Sequence, residues 1–374
     1  MKHVAMVYDP AQSQHILRDD HVFRPHRLQL TYELLDDYGA FDGSRLITPR
    51  IADESDIVTF HTPEYIDLVR DLSRGKERLD APSHNISEYG DNPPYEGMYE
   101  AAALVVGASL TAADLVTGGD IDVAFNISGG LHHAGPNRAS GFCIFNDAVI
   151  AIMSLLERGL RIAYVDIDAH HGDGVQRAFY DSDRVLTISL HESGRYLFPG
   201  TGDTTEIGNG EGKGYSVNIP FFPNTDDETY LWAFREIVPP LVKKFDPDVL
   251  VTQLGCDSHY LDPLTDISLT TAGYTEVIKE FRNLSPKWMA IGGGGYDMEA
   301  VVRLWTLAYG AMLDRDWPNE IPDAYRERYG IKRLRDTAQP TITDEMRAGA
   351  LHFAKQRVSE VKRAIFPIHK LKLV

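Results

Sequence analysis

Cysteine is nearly absent from this chain: Cys143 and Cys256 are the only two among 374 residues. Two thiols cannot form a disulfide framework or a four-cysteine zinc site. Basic charge is also short. Lys and Arg number 37 against 55 Asp and Glu, a net charge of −18, which argues against a general nucleic-acid binder. The deficit is uneven, because residues 355–372 carry Lys355, Arg357, Lys362, Arg363, Lys370 and Lys372 against Glu360 alone. The remaining body is more acidic than the total and would attract basic partners. No stretch approaches the roughly 18 uninterrupted apolar residues of a membrane span. The N-terminal run MKHVAMVYDP lacks a signal-peptide cleavage pattern. Internal repeats, low-complexity tracts and a Pro/Ser-rich linker are missing as well. These absences lead us to expect a soluble, reduced, cytoplasmic protein with neither nucleic acid nor membrane as partner.

What is present is globular: 43% hydrophobic and 25% charged residues, enough for a sizeable core. Apolar, β-branched runs suited to strands occur at His3–Tyr8, Asp122–Ile127, Arg161–Ile167, Val185–Leu190, Tyr215–Ile219, Asp248–Leu254 and Lys287–Ile291. Several are apolar on both faces, as strands covered on both sides are. Helical patterns fall between them at Arg27–Tyr38, Pro63–Leu72, Gly97–Val116, Phe145–Arg158, Asp227–Lys244, Thr271–Asn283 and Ala300–Leu313. This alternation predicts an α/β fold: a mostly parallel open sheet with helices on both faces. With no linker in view, the expectation is one domain over residues 1–374. Its core would span about 21–315, with a helical extension over 316–374.

Sites in parallel sheets form beyond the carboxyl ends of strands. Five of the predicted strands run into polar or glycine-rich segments there. They are Ser128-Gly-Gly-Leu-His132-His133, Asp166-Ile-Asp168-Ala-His170-His171-Gly-Asp173-Gly, Ser189-Leu190-His191, Gly255-Cys256-Asp257 and Gly292-Gly-Gly-Gly-Tyr296. In the second, alternate side chains share a face, so Asp168 and His170 can converge on one metal. Asp257 is the natural third ligand, leaving an open position for water. That donor set suits Zn²⁺, and ligand type does not exclude Fe²⁺ or Mn²⁺. A single strand-end Asp is more often a loop carboxylate than a ligand, but the clustered D-x-D-x-H-H-G-D-G reverses those odds. His132 and His133 could act as base and electrostatic partner, each needing a carboxylate on its other nitrogen; Asp166 and Asp173 are available. A histidine pair alone is more often packed or at the surface; its place on the same edge favours a site. Tyr296 offers a phenol that can donate to a developing oxyanion. The glycine-rich stretch 200–214 fails as a phosphate loop, because Ile207 stands where its first Gly belongs and Gly214 follows Lys213. Both cysteines read as small buried residues.

The runs GGLHHA, ASGFCIFND, YVDIDAHHGDGVQ, FPGTGD, QLGCDS and IGGGGY resemble those of the zinc-dependent histone deacetylase family. The likeness extends from about His21 to Trp305. The brevity of the chain and its segment DDHVFRPHRL look most like the class I-like bacterial deacetylases and the acetoin-utilisation branch. The resemblance implies the arginase/deacetylase fold and hydrolysis of an Nε-acyl-lysine amide by metal-activated water. By position it implies zinc ligands Asp168, His170 and Asp257. It pairs the catalytic His132 and His133 with Asp166 and Asp173, and makes Tyr296 the carbonyl-polarising phenol. Phe142 and Phe198 match the tunnel walls, Gly141 the carbonyl that receives the substrate amide, Leu264 the rim, and Asp91 the aspartate that holds the substrate backbone. An inner K⁺ site would use Asp166, Asp168, His170, Ser189 and Leu190, and an outer one Phe179, Ser182, Val185 and Tyr215. Arg27 matches the arginine of the acetate exit path. For the acetoin branch the resemblance implies targets like acetyl-CoA synthetase.

His259-Tyr260 is bulkier than the family pattern and is expected to reshape the entrance. No acidic gatekeeper is read near Leu264, which speaks against an acetylpolyamine amidohydrolase. A ureohydrolase-like binuclear manganese enzyme and a non-catalytic acyl-lysine binder stay as alternatives.

Overall fold

Eight short strands pair side by side, all in parallel, in the computed structural model, which describes residues 2–14, 17–18 and 20–373. In chain order the elements begin with β1 (Val4–Val7), α1 (His26–Asp37), β2 (Arg45–Ile47), α2 (Glu54–Ile57), α3 (Pro63–Ser73), α4 (Met98–Thr117) and β3 (Val123–Asn126). They continue with α5 (Asp147–Glu157), β4 (Ile162–Asp166), α6 (Asp173–Ala178), β5 (Val185–Glu192), β6 (Ser216–Phe221) and α7 (Asp227–Phe245). The last are β7 (Val249–Gln253), α8 (Thr271–Phe281), β8 (Trp288–Ile291), α9 (Met298–Leu313), α10 (Asp323–Tyr329) and α11 (Asp344–Ile365).

The apolar runs are continuous because each strand feeds two cores. On one face Met6, Phe125, Val165, Leu250 and Trp288 pack with α1, α7, α8 and α9. On the other, Val7, Ala124, Tyr164, Val251 and Met289 pack with α4 and α5. Period-two alternation sends neighbouring residues to opposite faces, so both must be apolar. Helix α4 is long and apolar enough to cross a membrane by length and composition alone, yet 67% of its apolar window is buried, as in a core helix. Side-chain caps mark several helix starts: Thr62 accepts from the Tyr65 amide, Asn146 from Val149, Asp226 from Thr229 and Thr343 from Met346. Each such cap contributes about 1 kcal/mol.

The strand order is β2-β1-β3-β8-β7-β4-β5-β6. Leaving β3, the chain skips two positions to form β4, and β7 and β8 later fill the gap. The five strands with polar ends therefore lie consecutively, β3-β8-β7-β4-β5, across the switch in strand order where α/β sheets bind ligands. Strand β5 runs on to Glu192, so His191 lies inside it, its ring between Ser189 Oγ (2.8 Å) and the Gly202 carbonyl (3.0 Å). Beyond residue 315, α10 packs on α1, and α11 packs on α7 and covers the edge strand β6.

Candidate active site

The turn after β3 is shaped from below by Asp147, the first residue of α5. Its buried carboxylate accepts the amides of Gly130 (3.1 Å) and Leu131 (2.8 Å) and the Ser109 hydroxyl (2.5 Å). Burial raises its pKa, and these bonds oppose the rise. Held this way, the turn presents His132 and His133, 3% and 5% exposed. His132 Nδ1 lies 2.7 Å from Asp166, and His133 Nδ1 lies 2.7 Å from Asp173. Their Nε2 atoms are 3.0 Å apart. Asp166 also accepts from the Tyr164 hydroxyl (2.6 Å), and Asp173 pairs with Arg177.

These contacts split the two imidazoles electrostatically. Burial pulls His132 down, but the Asp166 and Asp168 carboxylates outweigh it and lift its pKa to about 9. Burial and the neighbouring His132 push His133 down to about 4 against the pull of Asp173. Each Nδ1 thus faces its own carboxylate, and the two Nε2 atoms face each other.

Asp168, His170 and Asp257 come together at the ends of β4 and β7, their ligand atoms all within 4.8 Å of one another and all three residues buried. His170 Nδ1 faces Asp257 at 2.8 Å and Asp168 at 3.3 Å. Asp168 accepts from Gln253 Nε2 (2.6 Å) and the Gly294 amide (2.7 Å), while Asp257 accepts from the Ala169 amide (2.7 Å). Burial and the Asp168 charge push Asp257 up to about 8, and the two carboxylates lift His170 to about 10 against burial. Two buried carboxylates this close favour a cation, and here the His170 imidazole lies against both. Space is kept for one: a Cβ at Gly294 would stand 2.2 Å from Asp257 Oδ2 and 2.9 Å from Asp168 Oδ2. The O, N, O donor set and this cradle fit a divalent metal.

Above the triad a cavity of 240 Å³ is lined by Asp91, His133, Gly141, Phe142, His170, Leu197, Phe198, Leu264 and Tyr296. His132 instead lines a space of 20 Å³ at its foot. The Phe198 ring stands edge-on to His133 (5.1 Å), and Phe142 stands edge-on to Tyr296 (5.8 Å) and His21 (4.7 Å). Phe142 holds a φ of +69° after Gly141 at +50°, where a Cβ would lie 2.4 Å from His133 Cδ2. Glycine at 141 lets the chain pass beside the imidazole, and a strained Phe142 at the wall is the kind of outlier that marks functional sites. The Tyr296 phenol is held un-ionised, its pKa raised by burial and by Asp257 and Asp168. Asp91 is exposed, its carbonyl facing His21 Nε2 at 3.2 Å.

Other predicted positions have plain locations. Ser189 pairs with Asp166 across β5 and β4, and Leu190 is buried beside it. The Phe179 carbonyl accepts the Ser182 amide (3.0 Å), Val185 opens β5, and the Tyr215 carbonyl accepts the Thr187 amide (2.8 Å). Arg27 is buried and gives Nη1 and Nη2 to the carbonyls of Gly295 (2.6 Å) and Gly293 (2.7 Å), bracing the tetraglycine that carries Tyr296. His259 and Tyr260 do not line the cavity. Their rings lie 4.6 Å apart and tilted by 38°, and His259 turns away to Asp336. Acidic residues do flank Leu264. Asp266 is exposed, and Asp262 is turned inward, accepting the Tyr296 amide (2.7 Å) and the Leu264 amide (3.0 Å). Asp147, Gln253 and Asp262 are the residues that sequence reasoning missed. Only Asp147 carried a signal, as an acidic residue opening a predicted helix on the site edge.

Residues 21–312 match the histone deacetylase domain. The chain belongs to the histone deacetylase family, and it has that family's hydrolase architecture, the arginase/deacetylase fold. It is 43% identical over 333 residues to the acetoin utilization protein AcuC of Bacillus subtilis, covering 86% of this chain and 85% of that protein. It is 35% identical over 366 residues to histone deacetylase 1 of Homo sapiens, covering 97% of this chain and 75% of that protein. Among solved structures, an HDAC homolog from Aquifex aeolicus superposes with a TM-score of 0.85 at 31% identity, covering 95% of this chain and 100% of that one. An HDAC homolog complexed with SAHA gives 0.84 at 30% identity, with the same coverage.

Proposed function

We propose that this protein removes the acetyl group from Nε-acetyl-lysine of protein substrates by hydrolysis, with Asp168, His170 and Asp257 holding one Zn²⁺. The observation that carries this reading is that one aromatic-walled cavity is lined by Tyr296, His133 and His170, the last a member of the metal triad, with the His170 ring 6.5 Å from that of Tyr296 and 6.1 Å from that of His133. When bound, the metal supplies Lewis-acid polarisation of the carbonyl and a more acidic water. The lysine side chain lies between Phe142 and Phe198, its amide N–H donates to the Gly141 carbonyl, and Asp91 holds the backbone at the rim. His133, which lines the tunnel, takes a proton from water as the water oxygen bonds to the carbonyl carbon. His132, beneath it, balances the charge. Tyr296 donates its hydroxyl to the oxyanion. The C–N bond then breaks as the same proton passes to the leaving amine. Arg27, which lies behind the tetraglycine, serves the acetate exit.

K⁺ at the sets 166, 168, 170, 189, 190 and 179, 182, 185, 215 is a further part of the reading, supported by the register of β4 and β5. The two free, buried thiols suit a reducing cytoplasm, and an acetyl-CoA synthetase-like enzyme is the proposed target through the AcuC likeness. A fluorogenic acetyl-lysine peptide tests the function. Turnover with one metal per chain supports it. Binding without turnover would favour an acyl-lysine reader, turnover only of acetylpolyamines the polyamine branch, and two manganese ions per chain a ureohydrolase.

A further inference from the structure

The loop between β7 and α8 begins at the triad with Asp257 and reaches the tunnel at Leu264, and a residue far along the chain holds it. His259 is 1% exposed and sits two residues past Asp257. Its Nδ1 accepts the Leu261 amide (3.3 Å), which leaves the proton on Nε2, and Nε2 faces both carboxylate oxygens of Asp336 at 3.2 and 3.1 Å. The Asp336 side chain is 4% exposed. It also accepts from Arg303 Nη1 on α9 (2.7 Å) and from the Thr271 amide at the start of α8 (2.7 Å), and its own amide donates to Thr271 Oγ1 (3.1 Å). Burial alone would raise the Asp336 carboxyl; the His259, Thr271 and Arg303 contacts override it and hold the group ionised. Three donors around one buried carboxylate fix where it sits.

From this anchor a chain of short contacts leads into the site. The turn closed by His259 places Asp262, whose two oxygens take the amides of Tyr296 (2.7 Å) and Leu264 (3.0 Å). Asp257 has separate support, because the Ala169 amide from the β4 loop donates to it at 2.7 Å. Asp336 lies outside residues 21–312, the segment that matches the family domain.

We propose that Asp336 is a positioning residue for the deacetylation reaction: acting through His259 and the turn to Asp262, it sets Tyr296 and Leu264 against the tunnel while leaving the metal triad in place. This rests on the deacetylase reading above. The phenol acts on the oxyanion, so a loosened turn costs turnover more than ground-state binding.

Asp336→Ala, His259→Leu and the double variant are compared with the wild type for kcat, KM on an acetyl-lysine peptide, metal per chain and Tm. Each single variant is expected to lose about tenfold in kcat with KM within about twofold and full metal. The double variant is expected to be no slower than the worse single one, since both break the same contact. A lowered Tm with unchanged kcat, loss of metal in proportion to activity, or effects that multiply would each overturn the proposal. Should Asp336→Ala not fold once Arg303 loses this partner, His259→Leu keeps the Asp336–Arg303 pair and decides alone: unchanged kcat rejects the role. Absence of turnover in the wild type would instead remove the deacetylase reading itself.

Discussion

His132 and His133 meet through Nε2 atoms 3.0 Å apart, and each is backed at 2.7 Å by its own carboxylate, Asp166 or Asp173. Burial and the adjacent His132 lower the pKa of His133 to about 4 despite Asp173, while Asp166 and Asp168 raise that of His132 to about 9 despite burial. Of the two, only His133 lines the tunnel, which is why the proposed reaction assigns it the role of base and His132 that of its charged neighbour.

Replacing Asp173 by Asn tests this split. Asp173 favours the His133 cation, so its removal lowers the pKa of that imidazole further. The acid limb of kcat/KM should move to lower pH, while kcat on the plateau falls by about 10²-fold as the base weakens. A limb that stays in place or moves to higher pH would show that His133 is not the titrating base.

Tyr296→Phe removes the phenol and leaves the ring contacts with Phe142 and His170. We expect kcat to fall about 10²–10³-fold, the usual loss for one oxyanion donor, with metal content and Tm unchanged. Full activity would remove Tyr296 from the chemistry.

Much of the site was legible because its residues sit where strands end, and apolar runs show where that is. Strand-end position and donor chemistry alone suffice to propose Asp168, His170 and Asp257 as ligands. The helical patterns agree to within a few residues for the same reason, as in Pro63–Leu72 against α3. What stayed hidden had no local pattern. The three residues of β2 are an edge with two exposed positions, so nothing in Arg45–Ile47 distinguishes strand from loop. The direction of His259 is set by Asp336, 77 residues away, and bulk alone suggested a reshaped entrance, whereas neither His259 nor Tyr260 lines the cavity. Asp262 has no local signature of its own; its partner, the Tyr296 amide, is 34 residues downstream.

His61 gives a stability prediction. It is 1% exposed, its Nε2 accepts the Asn146 amide (2.9 Å) and its Nδ1 faces the Pro136 carbonyl (3.3 Å). Burial takes its pKa from 6.5 down to about 4, against the pull of the Pro136 and Gly135 carbonyls. The unfolded chain therefore binds this proton first. The stabilisation is complete above about pH 6.5 and is lost as pH falls through about 4, amounting to about 3 kcal/mol. Urea midpoints of wild type and His61→Gln between pH 7 and 4 should converge as pH falls. Parallel curves would refute the assignment.

The triad itself yields a crossover. Without a cation, Asp257 is raised to about 8 by burial and by Asp168, so the carboxylate pair strains the metal-free fold. Asp257→Asn replaces a carboxyl that burial and Asp168 disfavour as the anion with a neutral amide, and so removes that cost. Stripped of metal by a chelator, the variant should melt at or above the wild type. With saturating Zn²⁺ the order should reverse, because only the wild type gains RT ln(1 + [L]/Kd) from tight binding, about 4 kcal/mol at 1,000 Kd. Thermal midpoints of both proteins with and without metal, alongside metal content per chain, measure this directly. A variant that binds metal as well as the wild type and melts with it under both conditions would take Asp257 out of the ligand set.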